Sequence, residues 1–134
     1  MKLAGGKRLT FIHSLSIYKG MSIIGGDALR GHLETLLLSA LRGGEAHGFE
    51  ILRRLEEAGS GALKLKEGSL YPALYRLEAA GLIKGEWEDG STRRRGPRRR
   101  IYRLTPKGNR RFGEAREEFE RFAGVVGRIL KGAV

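Results

Sequence analysis

The chain has 134 residues, 40% of them hydrophobic and 31% charged, which allows one modest core and argues against two independent domains. Lys and Arg number 26 against 15 Asp and Glu, a formal charge of +11 that draws polyanions such as nucleic acid or an anionic membrane surface. The absence of Cys excludes disulfides and thiolate metal sites, and the apolar runs fall short of the roughly 18 residues of a membrane span, so neither span nor signal peptide is read and a cytoplasmic protein is expected.

Residues 1–28 are rich in Gly and basic side chains and carry no acid before Asp27. They read as a basic N-terminal extension, with Met21 as an alternative start. Leu29, Leu33, Leu36, Leu37, Ala40 and Leu41 then recur at helical spacing until Gly43-Gly44, predicting a first helix with one buried face. A second runs from about His47 to Ala58, with Phe49, Ile51, Leu52 and Leu55 on its apolar side and Gly59-Ser60-Gly61 after it. The third is placed from Ser69, whose hydroxyl would cap the first turn, with Pro72 inside that turn. Leu70, Leu74 and Leu77 form its core side, and Gly81 closes it as a left-handed residue. Its opposite side carries Pro72, Tyr75, Arg76 and Ala79, flanked by Ser69 and Tyr71.

Beyond Gly81 the period shortens toward two, so Leu82 to Glu88 and Arg100 to Leu104 read as strands. The segment Asp89 to Arg99 between them makes a long basic hairpin tip. Thr105-Pro106 is a cap followed by proline at the first helical position. Phe112, Ala115, Phe119, Phe122, Val126 and Ile129 then follow at intervals of three, four, three, four and three. That is a heptad seam, which predicts dimerisation through the last helix.

Three helices and a hairpin suit a DNA reader: one helix fits the major groove, and a basic hairpin holds the adjacent backbone. Ten basic residues and no acid lie between Thr92 and Arg111. The residues assigned to DNA are Lys64 and Lys66 ahead of the third helix, Ser69, Tyr71, Tyr75 and Arg76 on it, and Arg93, Arg94, Arg95, Arg98, Arg99 and Arg100 on the hairpin. His13, His32 and His47 lack metal-ligand spacing. No phosphate-cradling glycine motif, nucleophile elbow or paired carboxylates appear, so neither an enzyme nor a cofactor is expected. Trp87 reads as packing on the hairpin.

A family resemblance rests on Leu29-Arg30-Gly31, His47-Gly48-Phe49-Glu50-Ile51, the block Glu67 to Glu78 with its Gly-Ser-Leu-Tyr-Pro core, Gly81-Leu82-Ile83 and Tyr102 to Gly108. With these the chain from about Ala28 resembles the PadR family of bacterial and archaeal regulators, in its subgroup with a single short C-terminal helix. The resemblance implies a homodimeric winged-helix repressor on a palindromic operator, releasable by a small effector. It also implies Ser69, Tyr71, Tyr75 and Arg76 at the DNA. The family's multidrug-sensing members carry a tryptophan on the C-terminal helix, whereas Trp87 here lies on the hairpin, which argues against a drug-binding role.

The expectation is therefore a mainly α, α+β chain: a winged helix-turn-helix over 29–104 and a C-terminal dimerisation helix over 105–134, bound to a double-stranded DNA operator and not to membrane. A charge-driven architectural or RNA-binding protein would instead bind random and selected duplexes alike. A winged-helix module for protein partners would keep its DNA binding when Tyr71, Tyr75 and Arg76 are replaced.

Overall fold

The computed structural model describes residues 31–89 and 98–132, together with Ile24 and Leu29; the rest of the basic extension lies outside the described residues. Helix α1, Leu33–Leu41, begins later than its apolar repeat. Gly31 has φ +86° and the His32 N–H donates to the Leu29 carbonyl at 2.8 Å, so a turn separates the buried Leu29 from the start of α1. A two-residue strand β1, Ala46–His47, follows; it is too short to show a period. It leads directly into α2, Gly48–Ala58.

The buried side of α2 is Gly48, Ile51 and Leu55. Phe49 is 69% exposed, contrary to its placement among the apolar contacts, because it stands about 100° round the helix from Gly48. Arg54 ties α2 to the end of α1. Its guanidinium donates to the carbonyls of Ala40, Gly44 and Glu45 at 3.0, 2.7 and 3.2 Å, satisfying acceptors that a helix end leaves open.

Helix α3, Glu67–Ala79, has Lys66 as its N-cap and no side-chain cap. Ser69 is therefore the third helical residue and not the cap; its N–H donates to the Lys66 carbonyl at 3.0 Å. Pro72 lies a turn deeper than the sequence suggests. The carbonyl it leaves without a donor is that of Gly68, an exposed residue that water reaches. Gly81, at φ +77°, ends the segment in the left-handed conformation expected of it.

Strands β2, Ile83–Trp87, and β3, Arg100–Leu104, pair antiparallel with Gly85 opposite Tyr102 and Trp87 opposite Arg100. β1 adds to the other edge of β3, giving the order β1-β3-β2. Helix α4, Pro106–Leu130, starts on a latch. The Thr105 hydroxyl accepts from the Gly108 N–H at 3.0 Å and donates toward the Gly81 and Leu82 carbonyls at 2.7 and 3.0 Å. A Cβ on Gly108 would fall 1.9 Å from the Leu82 carbonyl oxygen, so only glycine lets α4 approach the turn after α3 this closely.

The core joins Leu37, Leu38 and Leu41 of α1, Ile51 and Leu55 of α2, Leu70, Ala73, Leu74 and Leu77 of α3, Ile83, Tyr102 and Phe112. The core side predicted for α3 is thus buried, which fixes the direction of its opposite face.

Candidate nucleic-acid interface

With Leu70, Ala73, Leu74 and Leu77 inside, helical geometry turns Gly68, Pro72, Tyr75 and Ala79 outward, and all four are exposed. Tyr75 is 74% exposed and Tyr71, on the flank toward the hairpin, 48%. Large aromatic side chains so exposed suit contact with a partner. Tyr71 owes its position to Gly48: a Cβ there would come within 2.5 Å of the Tyr71 hydroxyl and 2.8 Å of its ring. The opposite flank carries exposed Ser69 and Arg76, whose Nε donates to Glu34 of α1 at 2.8 Å. Lys64 and Lys66 are exposed ahead of the helix, Lys64 at 3.9 Å from Glu56.

The hairpin, or wing, stands beside Tyr71. Between it and α3 lies a cleft of about 520 Å³ lined by Tyr71, Tyr75, Glu78, Ala79, Arg100 and Tyr102. Burial pushes the Tyr102 hydroxyl above the ordinary tyrosine range, against the downward pull of the Arg100 guanidinium. Arg100 donates to Glu78 of α3 at 2.6 Å, and Glu78 also accepts from the Gly85 N–H at 3.3 Å, so one carboxylate joins helix to wing.

The wing arginines are not the uniform cationic tip that the sequence suggests. The Arg98 guanidinium donates to the Glu88 carbonyl at 3.3 and 3.1 Å, and Arg99 meets the Glu88 carboxylate through its N–H at 2.7 Å and its Nε at 3.3 Å. Glu88 is only 7% exposed, which makes that carboxylate an anchor for the wing's root. Arg98 and Arg100 also lie over the Trp87 ring, at 6.0 and 5.4 Å from its centre. These three arginines brace the wing because the fold brings acceptors to them, the Glu88 carbonyl to Arg98 and the carboxylates of Glu88 and Glu78 to Arg99 and Arg100, which a linear run of charge cannot reveal. Arg93, Arg94 and Arg95 lie outside the described residues.

Sequence reasoning missed Gly48, Gly85, Tyr102 and the Arg98–Trp87–Arg100 stack. The alternation Arg98, Arg100, Tyr102 was legible as one strand face; its partners Gly85 and Trp87 needed the register.

The seam of the last helix divides. Phe112 and Ala115 are buried within the chain itself, with Arg42 of α1 over the Phe112 ring at 4.8 Å. Their assignment to dimerisation is corrected accordingly: α4 crosses its own domain before it leaves it. Further along, Phe119, Phe122 and Ile129 are exposed and Val126 is half-buried; Phe119 meets the His32 ring edge-on at 5.2 Å. Among the described residues no helix is long and apolar enough to cross a membrane, and no group of three His, Asp or Glu side chains is placed to hold a metal ion.

The profile of the transcriptional regulator PadR-like family matches residues 37–114, from α1 through α3 and the wing into α4. The chain belongs to this PadR-like family of transcriptional regulators. A structure of a transcriptional regulator from Clostridium thermocellum is similar at 32% identity with a TM-score of 0.69, covering 77% of this chain and 97% of that one. A PadR family regulator from Eggerthella lenta is 27% identical with a TM-score of 0.66, covering 92% and 96%. In sequence, a transcriptional regulator of Mycobacterium tuberculosis is 37% identical over 84 residues, 61% of this chain and 70% of its own length. The PadR-like winged helix is the fold of this protein.

Proposed function

We propose that this PadR-like regulator is a homodimeric repressor that places two copies of α3 in successive major grooves of a palindromic operator, with half-sites about 34 Å apart. The observation that carries the proposal is the outward presentation of Tyr75 and Tyr71 on a helix whose opposite side is wholly buried, beside a wing and in a chain of charge +11. Tyr71, Tyr75, Ser69 and Arg76 meet the DNA from α3. Lys64, Lys66 and the wing arginines, Arg93, Arg94 and Arg95 foremost, meet phosphates. Arg76 exchanges Glu34 for DNA, a modest demand because their ion pair is exposed.

The second copy joins through the outer part of α4, where Phe119, Phe122, Val126 and Ile129 continue the heptad spacing past the domain's own core. Repression follows from occupying a promoter. A small effector that bound the free and DNA-bound forms unequally would release it.

The test is selection of duplexes from a random pool by the full chain at near-physiological salt, with sedimentation of the same protein. The expected result is a two-fold symmetric consensus preferred about a thousandfold over random sequence, and a dimer at micromolar concentration. Equal affinity for all duplexes, or a single sedimenting subunit, overturns it.

A further inference from the structure

The side chains that α3 turns outward are an unusual set for a helix that reads bases. Gly68, Pro72, Tyr75 and Ala79 follow at intervals of four, three and four and make the outer ridge. None of them has the paired donors or acceptors with which Arg recognises guanine or Asn and Gln recognise adenine. The helix's longer charged groups stand on its flanks, off this ridge: Arg76 on the α1 side, where it pairs with Glu34 at 2.8 Å in the free chain, and Glu78 on the wing side, held by Arg100 at 2.6 Å. Glu67 precedes Tyr71 by one turn on the wing side, and its carboxylate is repelled by phosphate. What the ridge offers a base edge is the Pro72 ring, the Ala79 methyl and the Tyr75 ring.

On the major-groove edge the apolar feature is the thymine 5-methyl group. Resting on the DNA-binding reading above, we infer that Tyr75, Pro72 and Ala79 set operator specificity by apolar contact with thymine methyl groups, with little bidentate hydrogen bonding to purines. Tyr75 supplies most of the contact, since its exposed ring is the one large group on the ridge. Its hydroxyl is secondary. The Ser69 hydroxyl on the α1 flank accepts or donates equally and so discriminates weakly.

The experiment replaces each thymine of the selected duplex in turn by uracil, which keeps the pairing and hydrogen-bonding groups and deletes only the methyl. In parallel, purines are replaced by their 7-deaza forms, which delete the acceptor that a bidentate donor needs. At thymines facing α3, uracil is expected to weaken binding roughly fourfold per site, the factor for losing one buried methyl-sized group, and 7-deaza purines are expected to have smaller effects. Tyr75→Phe should keep the thymine preference and Tyr75→Ala should abolish it at the position the ring covers. If the selected duplex is strongly preferred, yet uracil is tolerated everywhere and 7-deaza purines cost affinity, the inference fails while the DNA-binding reading stands. If no duplex is preferred over any other, both fail.

Discussion

The outer face of α3 and the root of the wing adjoin one another and both carry aromatic and cationic side chains, but the chain uses them in opposite ways. At the wing root the polar groups are turned inward on each other: Arg99 on Glu88, Arg100 on Glu78, and Trp87 beneath two guanidiniums. On α3 the tyrosines project from a helix whose other side is packed. The difference shows that charge along the sequence does not mark which side chains the fold leaves exposed. At the wing root a guanidinium with a carboxylate within reach serves the fold first, and the groups available to a partner are those the fold leaves exposed.

The strongest attempt to break this contrast sets a double replacement on α3 against a single one at the wing root. Replacing Tyr71 and Tyr75 together by Ala should weaken operator binding by about a hundredfold, from lost ring burial worth about 1.5–3 kcal/mol each, while the melting temperature stays within about 2 °C, as expected for exposed positions. Electrophoretic mobility shift and thermal melting of the same preparation test this. Glu88→Ala should do the reverse. Leaving Arg99 and its N–H without their buried acceptor costs about 2 kcal/mol, visible as a drop of roughly 10 °C in melting temperature. A Glu88→Ala protein that melts like the parent would remove the wing-root half of the comparison.

Two glycines sharpen it further. An added methyl at Gly48 meets the Tyr71 hydroxyl at 2.5 Å, and one at Gly85 meets the Arg100 Nε at 2.7 Å. Each obstacle is the far part of a movable side chain. Gly48→Ala is therefore expected to reduce operator affinity about fivefold with little change in stability, and Gly85→Ala to cost about 1 kcal/mol of stability by parting Arg100 from Glu78. Denaturant titration alongside binding isotherms separates the two effects.

Salt dependence gives a smaller signal. Each arginine or lysine that displaces counterions from a phosphate contributes about 0.9 to the slope of log affinity against log salt. Lys66→Ala should lower the slope by about that amount, and Arg99→Ala by much less, because its guanidinium is held by Glu88. Equal changes would mean that both cations reach the backbone. The smallest effect concerns pH. Tyr102 holds its proton more tightly in the folded chain than in the unfolded one. Above the ordinary tyrosine value of about 10 the unfolded state therefore binds fewer protons and stability falls as pH rises. Below that value the contribution is intact, and Tyr102→Phe should flatten the alkaline limb of a stability profile.

Local periodicity was enough to read the helices, the hairpin strands, the cap at Thr105 and the buried side of α3, because each is a relation among neighbours in the chain. The start of α1 after Gly31 and the cap at Lys66 shifted from their expected places because a left-handed glycine and an extended backbone outweighed the apolar repeat and the serine. Strand β1 was invisible, since two residues acquire strand character only by pairing with β3. The roles of Arg98, Arg99 and Arg100, and the burial of Phe112 and Ala115 inside their own domain, required the folded chain. A residue's own chemistry tells which interactions it can make. Which one it makes depends on the partners that distant segments bring within reach, and the heptad seam and the arginine run were silent on that until α1, α3 and β2 had been set against them.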